Sequence, residues 1–185
     1  DRQHPPLVGP LDGEANRLDL DRLAGLRNVA EPARHEAADR LERPFSHLAA
    51  PPATAIEPDL ASLGALLELS FGVSAWKSWG PSRWALRCNP SSGNLHPVEA
   101  YVLAAGLPDL AAGLHHYDPK DHLLEGRALR PSTGQRWLAV GLSSAMWREA
   151  WKYGERAFRY CQLDIGHAVG ALAYAAALLG WRIEP

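Results

Sequence analysis

The chain has 185 residues, of which 46% are hydrophobic and 22% charged, and its formal net charge is −2. That length suits one ordinary domain, able to bury roughly 70% of its unfolded surface without staples, and the composition excludes a wholly disordered chain. Near-neutrality supplies no basic field for a nucleic-acid duplex, and the only two cysteines, Cys88 and Cys161, lie too far apart in sequence to suggest a disulfide framework or a thiolate zinc site, which points to a reducing, cytoplasmic setting.

Residues 1–58 carry eight of the fifteen prolines, so they can form neither one long helix nor a central strand and are expected to be an N-terminal arm. Within it, the leucines at 18, 20, 23 and 26 and the stretch 33–41 could each make a short amphipathic helix. Residue 1 is Asp and the single methionine is Met146, so a trimmed or processed chain is expected. From Asp59 onward a capping residue precedes Leu60, Leu63, Leu66, Leu67 and Leu69, and Gly72 follows, which predicts a helix. Trp76, Trp79 and Trp84 then crowd a segment containing Gly80 and Pro81. It reads as a loop whose rings are pinned under something, core packing being favoured over a ligand wall. Short apolar runs bounded by Gly, Pro, Asp or Ser predict strands at 98–103, 113–117, 122–129 and 137–142. Finally Phe158, Cys161, Ile165, Ala168, Leu172, Ala175 and Leu179 recur at spacings of three and four, predicting a helix of some six turns. Gly166, Gly170 and many alanines leave that helix little bulk on any side, so it should be buried on both sides, either in a core or at a dimer interface. The longest apolar stretch, 168–181, is shorter than the roughly 20 residues that a membrane span requires, so no span is expected.

Two segments carry candidate chemistry. Arg87-Cys-Asn-Pro-Ser-Ser-Gly-Asn-Leu-His-Pro97 offers hydroxyls at Ser91 and Ser92, close backbone approach at Gly93 and a turn-former at Asn94, and can wrap a polar cofactor or be a solvated turn. In the second, Trp147 to Tyr160, Lys152 and Tyr153 stand immediately before Gly154, which should break a helix and leave two titratable groups at its end, suited to proton transfer. Asp164 and His167, one turn apart, read as a satisfied core pair. His115, His116, Asp118, Asp121 and His122 invite a metal reading, but neighbours on a strand point to opposite faces and no metal site is expected. A hydrolase triad of Ser91, His96 and Asp164 lacks the strand-turn-helix nucleophile geometry.

Together, NPSSGNLHPVEAYV and, some fifty residues later, WREAWKYGERAFRYCQLDIGHA resemble the SagB-type branch of the FMN-dependent nitroreductase family, over residues 59–181. The resemblance implies an α+β, nitroreductase-like fold over 59–185, an antiparallel or mixed sheet packed by helices, with the long small-residue helix at its centre. It further implies FMN at a dimer or pseudo-dimer interface, with Ser91, Ser92 and Asn94 near the flavin and its ribityl chain, Arg87 at the anionic end and His96 beside them. Lys152 and Tyr153 match a Lys-Tyr pair linked to catalysis in azoline-oxidising relatives. The family continues beyond the point where this sequence stops, so the chain is expected to be an incomplete half of a longer, tandem or paired protein. The expected activity is hydride transfer through flavin N5 on a small-molecule or peptide-derived substrate, with pairing through the 158–179 helix. The alternative is a nitroreductase-fold module without chemistry that pairs or binds a ligand.

Overall fold

A computed structural model describes residues 29–30, 54–131 and 134–184. The helices expected around 18–26 and 33–41 lie outside the described residues. Strand β1 (Val29–Ala30) is followed by helix α1 (Leu60–Phe71), the hairpin β2 (Val73–Trp79) and β3 (Ser82–Arg87), and a single 3-10 turn at Ser92–Asn94. Strands β4 (Val98–Ala105), β5 (Gly113–Asp118), β6 (Leu123–Leu129) and β7 (Trp137–Ser144) come next, then α2 (Trp147–Tyr153), a 3-10 turn at Gly154–Arg156, and α3 (Ala157–Leu179).

Five strands form one antiparallel sheet in the order β1-β6-β5-β4-β7, and β2 pairs with β3 apart from it. Side chains on β5 alternate buried and half-buried, as a sheet with one covered face requires. That alternation sends His115 inward, where Nε2 meets the Ala111 carbonyl at 2.8 Å, and His116 outward between Glu99 and Glu125, at 2.8 and 3.2 Å. The covered face of the sheet meets α1 and α3 through Val98, Ala100, Val102, Tyr117 and Leu124 against Leu63, Leu67, Ala168, Leu172 and Leu179.

Helix α1 begins where the sequence places it, because Asp59 Oδ1 accepts from the Ser62 amide and the Ser62 hydroxyl accepts from the Asp59 amide, a reciprocal cap. Gly72 ends it with ordinary extended backbone. A Cβ there would lie 2.5 Å from the Glu68 carbonyl oxygen, so a close approach fixes the residue type. Helix α3 closes on Gly180 in the left-handed region, whose amide returns to the last carbonyls, and the Trp181 indole donates to the Ile56 carbonyl at 2.6 Å.

One expectation requires correction. The Trp segment is a hairpin rather than a loop, and its rings are not packed in the core: Trp79 is 82% exposed, and Trp76 and Trp84 are also exposed. The residues between the tryptophans are Lys, Ser, Gly, Pro and Arg, which carry little strand signal, and among the described residues no second layer covers the hairpin. Arg83 instead sits 4.3 Å from the Trp76 ring centroid, a cation–π contact. Among the described residues helix α3 is buried on one side, and its other side is the face the expected dimer interface would use. Cys161, Asp164, Ala168, Leu172 and Ala175 face inward, while Leu163, Val169, Tyr174 and Phe158, the last 61% exposed, do not. The run Trp147–Leu179 is long and apolar enough by length and composition to cross a bilayer, longer than the 14-residue stretch considered above. A third of its most apolar window is buried in the fold, where it packs as a core helix.

Candidate functional site

Strand β3 delivers the chain to a loop, Cys88 to Pro97, that crosses the first turns of α3 before entering β4. Asp164, on the inward face of α3 and 1% exposed, holds this loop. Its carboxylate accepts from Ser91 Oγ at 2.6 Å, from the Ser92 amide at 3.0 Å and from Ser92 Oγ at 3.0 Å. Ser91 Oγ in turn accepts from the His96 amide at 2.8 Å. Both serine hydroxyls are therefore engaged within the protein, and they shape the loop. Asp164 reaches this loop rather than His167, which is exposed, so the expected core pair does not form. The 3.6-residue period reported that Asp164 faces inward, but its partner lies 73 residues away. Nor is there a triad: Ser91 donates directly to the carboxylate and meets His96 only through its backbone amide, so no ring nitrogen stands ready to take the serine proton.

Gly93, Asn94 and His96 all have φ between +48° and +64°, a region costly for the last two. Side-chain bonds sustain it. Asn94 donates through Nδ2 to the Ala85 carbonyl at 2.9 Å and accepts through Oδ1 from His96 Nε2 at 2.8 Å. That acceptor fixes the Nε2–H tautomer and leaves buried Nδ1 without a partner among the described residues. Burial above all, then the positive charge of Arg87, with Arg148 adding to it and Asp164 opposing, pushes the His96 imidazole down to about 4, so it is neutral at pH 7.

Lys152 and Tyr153 end α2, and Gly154, at φ +56°, breaks the helix after them as the sequence suggests. Both side chains reach back to the loop. A Cβ placed on Gly93 would strike the Tyr153 hydroxyl and lie 2.7 Å from Lys152 Nζ. Gly93 is thus a seat for the two groups, and only glycine combines that space with φ +64°. The Tyr153 ring rests against Tyr160, centroids 4.5 Å apart. Seven residues singled out in sequence thereby fall into one neighbourhood, with Arg87 at its rear: its Nη1 lies 3.4 Å from the Val98 carbonyl and its guanidinium is held below its usual proton affinity by burial first, against the pull of Glu99.

Sequence reasoning missed three supporting residues. Arg148 donates to the His96 carbonyl at 2.8 Å and pairs with Glu99 at 2.5 Å, tying α2 to both loop and sheet. Glu149 is wholly buried on the same helix. Spacing gave no sign of these contacts, since each partner comes from a different element. A cavity of about 280 Å³ opens elsewhere, between the hairpin and the β5–β6 turn, and none of the residues 91–96, 152 or 153 lines it.

No protein-family model matches the chain, and no curated protein matches it. Solved structures do match. A protein described as a "putative nitroreductase" from Anabaena variabilis ATCC 29413 is 25% identical with a TM-score of 0.58, over 80% of this chain and 39% of that one. A second so described, from Ralstonia eutropha JMP134, is 20% identical with a TM-score of 0.53, over 81% of this chain and 71% of that one. A chain of the E. coli microcin synthetase McbBCD complex, with truncated pro-MccB17 bound, is 16% identical with a TM-score of 0.52, over 80% of this chain and 60% of that one. This chain thus spans about two-fifths of the length of the first, and with its antiparallel sheet and packed helices it has an α+β, nitroreductase-like fold.

Proposed function

We propose that this chain is part of an FMN-dependent oxidoreductase of nitroreductase type, close to the SagB-type dehydrogenases, and that FMN lies against the 91–96 loop and the Lys152–Tyr153 pair. The observation that carries the reading is the convergence of two segments, some sixty residues apart in sequence, on Gly93, whose missing side chain leaves an ammonium and a phenol beside exposed loop backbone. The chemistry of these donors suits the group: a flavin gains negative charge near N1 and O2 on reduction, which a fixed cation and hydroxyl stabilise. When bound, FMN supplies hydride transfer through N5.

The remaining roles belong to the chain itself. Asp164 fixes the loop through Ser91 and Ser92, and neutral His96 with Asn94 locks its left-handed turn. Lys152 and Tyr153 hold or move the proton that accompanies the hydride on a small-molecule or peptide-derived substrate. Arg87 offers charge towards the anionic end of the cofactor. The exposed face of α3, with Phe158, Leu163, Val169 and Tyr174, pairs with a second copy or a tandem domain.

Steady-state kinetics against pH on flavin-replete variants tests the assignment. Lys152→Ala and Tyr153→Phe should keep flavin content and melting temperature, lose about 10²- to 10⁴-fold in kcat, and lose one limb of the pH profile. Near-parental kcat in both removes the pair from the mechanism. The engagement of both serine hydroxyls by Asp164 favours a second reading, a binding or pairing module without chemistry, which flavin binding without turnover would support.

A further inference from the structure

Glu149 is wholly buried, and neither of its carboxyl oxygens has a hydrogen-bond partner among the described residues. It lies in the first turn of α2, one turn before Lys152 and Tyr153, on the helix face turned towards α3. The charged groups that act on it are Asp164 from α3 and Lys152 from its own helix. Burial first and Asp164 second raise its proton affinity above the ordinary carboxylate range, while Lys152 opposes them. Asp164 differs in one respect: it has four donor contacts from Ser91 and Ser92, so its charge is compensated where it stands. Asp164 thus sits among donors, whereas the Glu149 carboxyl is packed without one among the described residues.

We propose that Glu149 is a positioning residue for the Ser91–Asn94 loop: while neutral it leaves Asp164 free to hold Ser91 and Ser92, and on ionising it sets a second negative charge beside Asp164, loosens that hold and draws the Lys152 ammonium away from Gly93. Its consequence for FMN rests on the function proposed above, whereas the hold on the loop is a property of the chain itself. The sign follows from linkage. Above the ordinary carboxylate range the unfolded chain releases this proton and the folded one keeps it, so stability and loop closure fall as pH rises towards the raised value and level off beyond it.

The Ser92 amide, which donates to Asp164, reports the hold directly. Its hydrogen exchange, corrected for the intrinsic pH dependence, should lose about tenfold in protection as pH rises through the titration of Glu149. In Glu149→Gln the protection should stay level, and Glu149→Met, which removes the polar atoms altogether, should behave alike. Protection in the parent that does not change with pH, or variants that slope as the parent does, would overturn the proposal, and the parent profile alone suffices for the first. FMN titration at the same pH values separates the two claims: absence of binding at every pH would sink the function proposed above and leave the exchange result to decide this one.

Discussion

Asp164 and His96 show how much of the site depends on single buried atoms. Removing the Asp164 carboxylate by Asp164→Ala would strand Ser91 Oγ, Ser92 Oγ and the Ser92 amide, and should cost on the order of 3 kcal/mol in chemical denaturation, with the loop released first. His96 sets an acid limit. Its folded-state value of about 4 lies below the ordinary 6.5, so between those values the unfolded chain takes up a proton that the folded chain refuses. Stability is therefore complete above about 6.5 and lost as pH falls towards about 4, by roughly 1–2 kcal/mol once partial exposure is allowed for. Melting temperature against pH checks this: His96→Gln should flatten the acid limb, and an unchanged limb would assign it to other groups. At this scale the loop residues were legible because Pro, Ser, Gly and Asn announce a turn by their own backbone chemistry. Asp164 and Arg148 were not legible as partners of that loop, since a helical period tells which face a residue occupies and says nothing of what another element brings to meet it.

Strands β4 to β7 were legible within one or two residues, because apolar runs between turn-formers carry their own boundaries, and α1 was legible from its cap and its leucines, whereas edge strand β1 lies in the segment expected to be an arm and was not. The hairpin was not, since Lys, Ser, Gly and Pro between tryptophans imitate a loop. Helix α3 was legible in length, and its small residues permit close packing on every side, of which the described residues of this chain use one. Gly166 and Gly170 make the distinction measurable. A side chain at either meets nothing within 4 Å in the single chain, so Gly170→Ala should gain about 1 kcal/mol from helix propensity alone. If a second helix packs there, Gly166→Leu and Gly170→Leu should instead drive a dimer apart in sedimentation while the monomer stays folded. A stable monomer in the parent and in both variants would leave the exposed face without a helix partner.

For the whole molecule, the fold places one end of α2, one face of α3 and the entry to β4 around a single loop, and the proposed flavin site depends on that juxtaposition rather than on any one element. Arg148 links α2 to the sheet and to the loop, through Glu99 on β4 and the His96 carbonyl. The account stands on the claim that FMN occupies the loop beside Lys152 and Tyr153. Titration of the chain with FMN, followed by quenching of flavin fluorescence, tests it most directly when set beside Gly93→Val, which fills the seat of the two side chains and forces a β-branched residue to φ +64°. Saturable binding that the substitution weakens by at least about tenfold, a loss of roughly 1.4 kcal/mol, is the predicted result. No saturable quenching, or equal affinity in the parent and the valine variant, would contradict it.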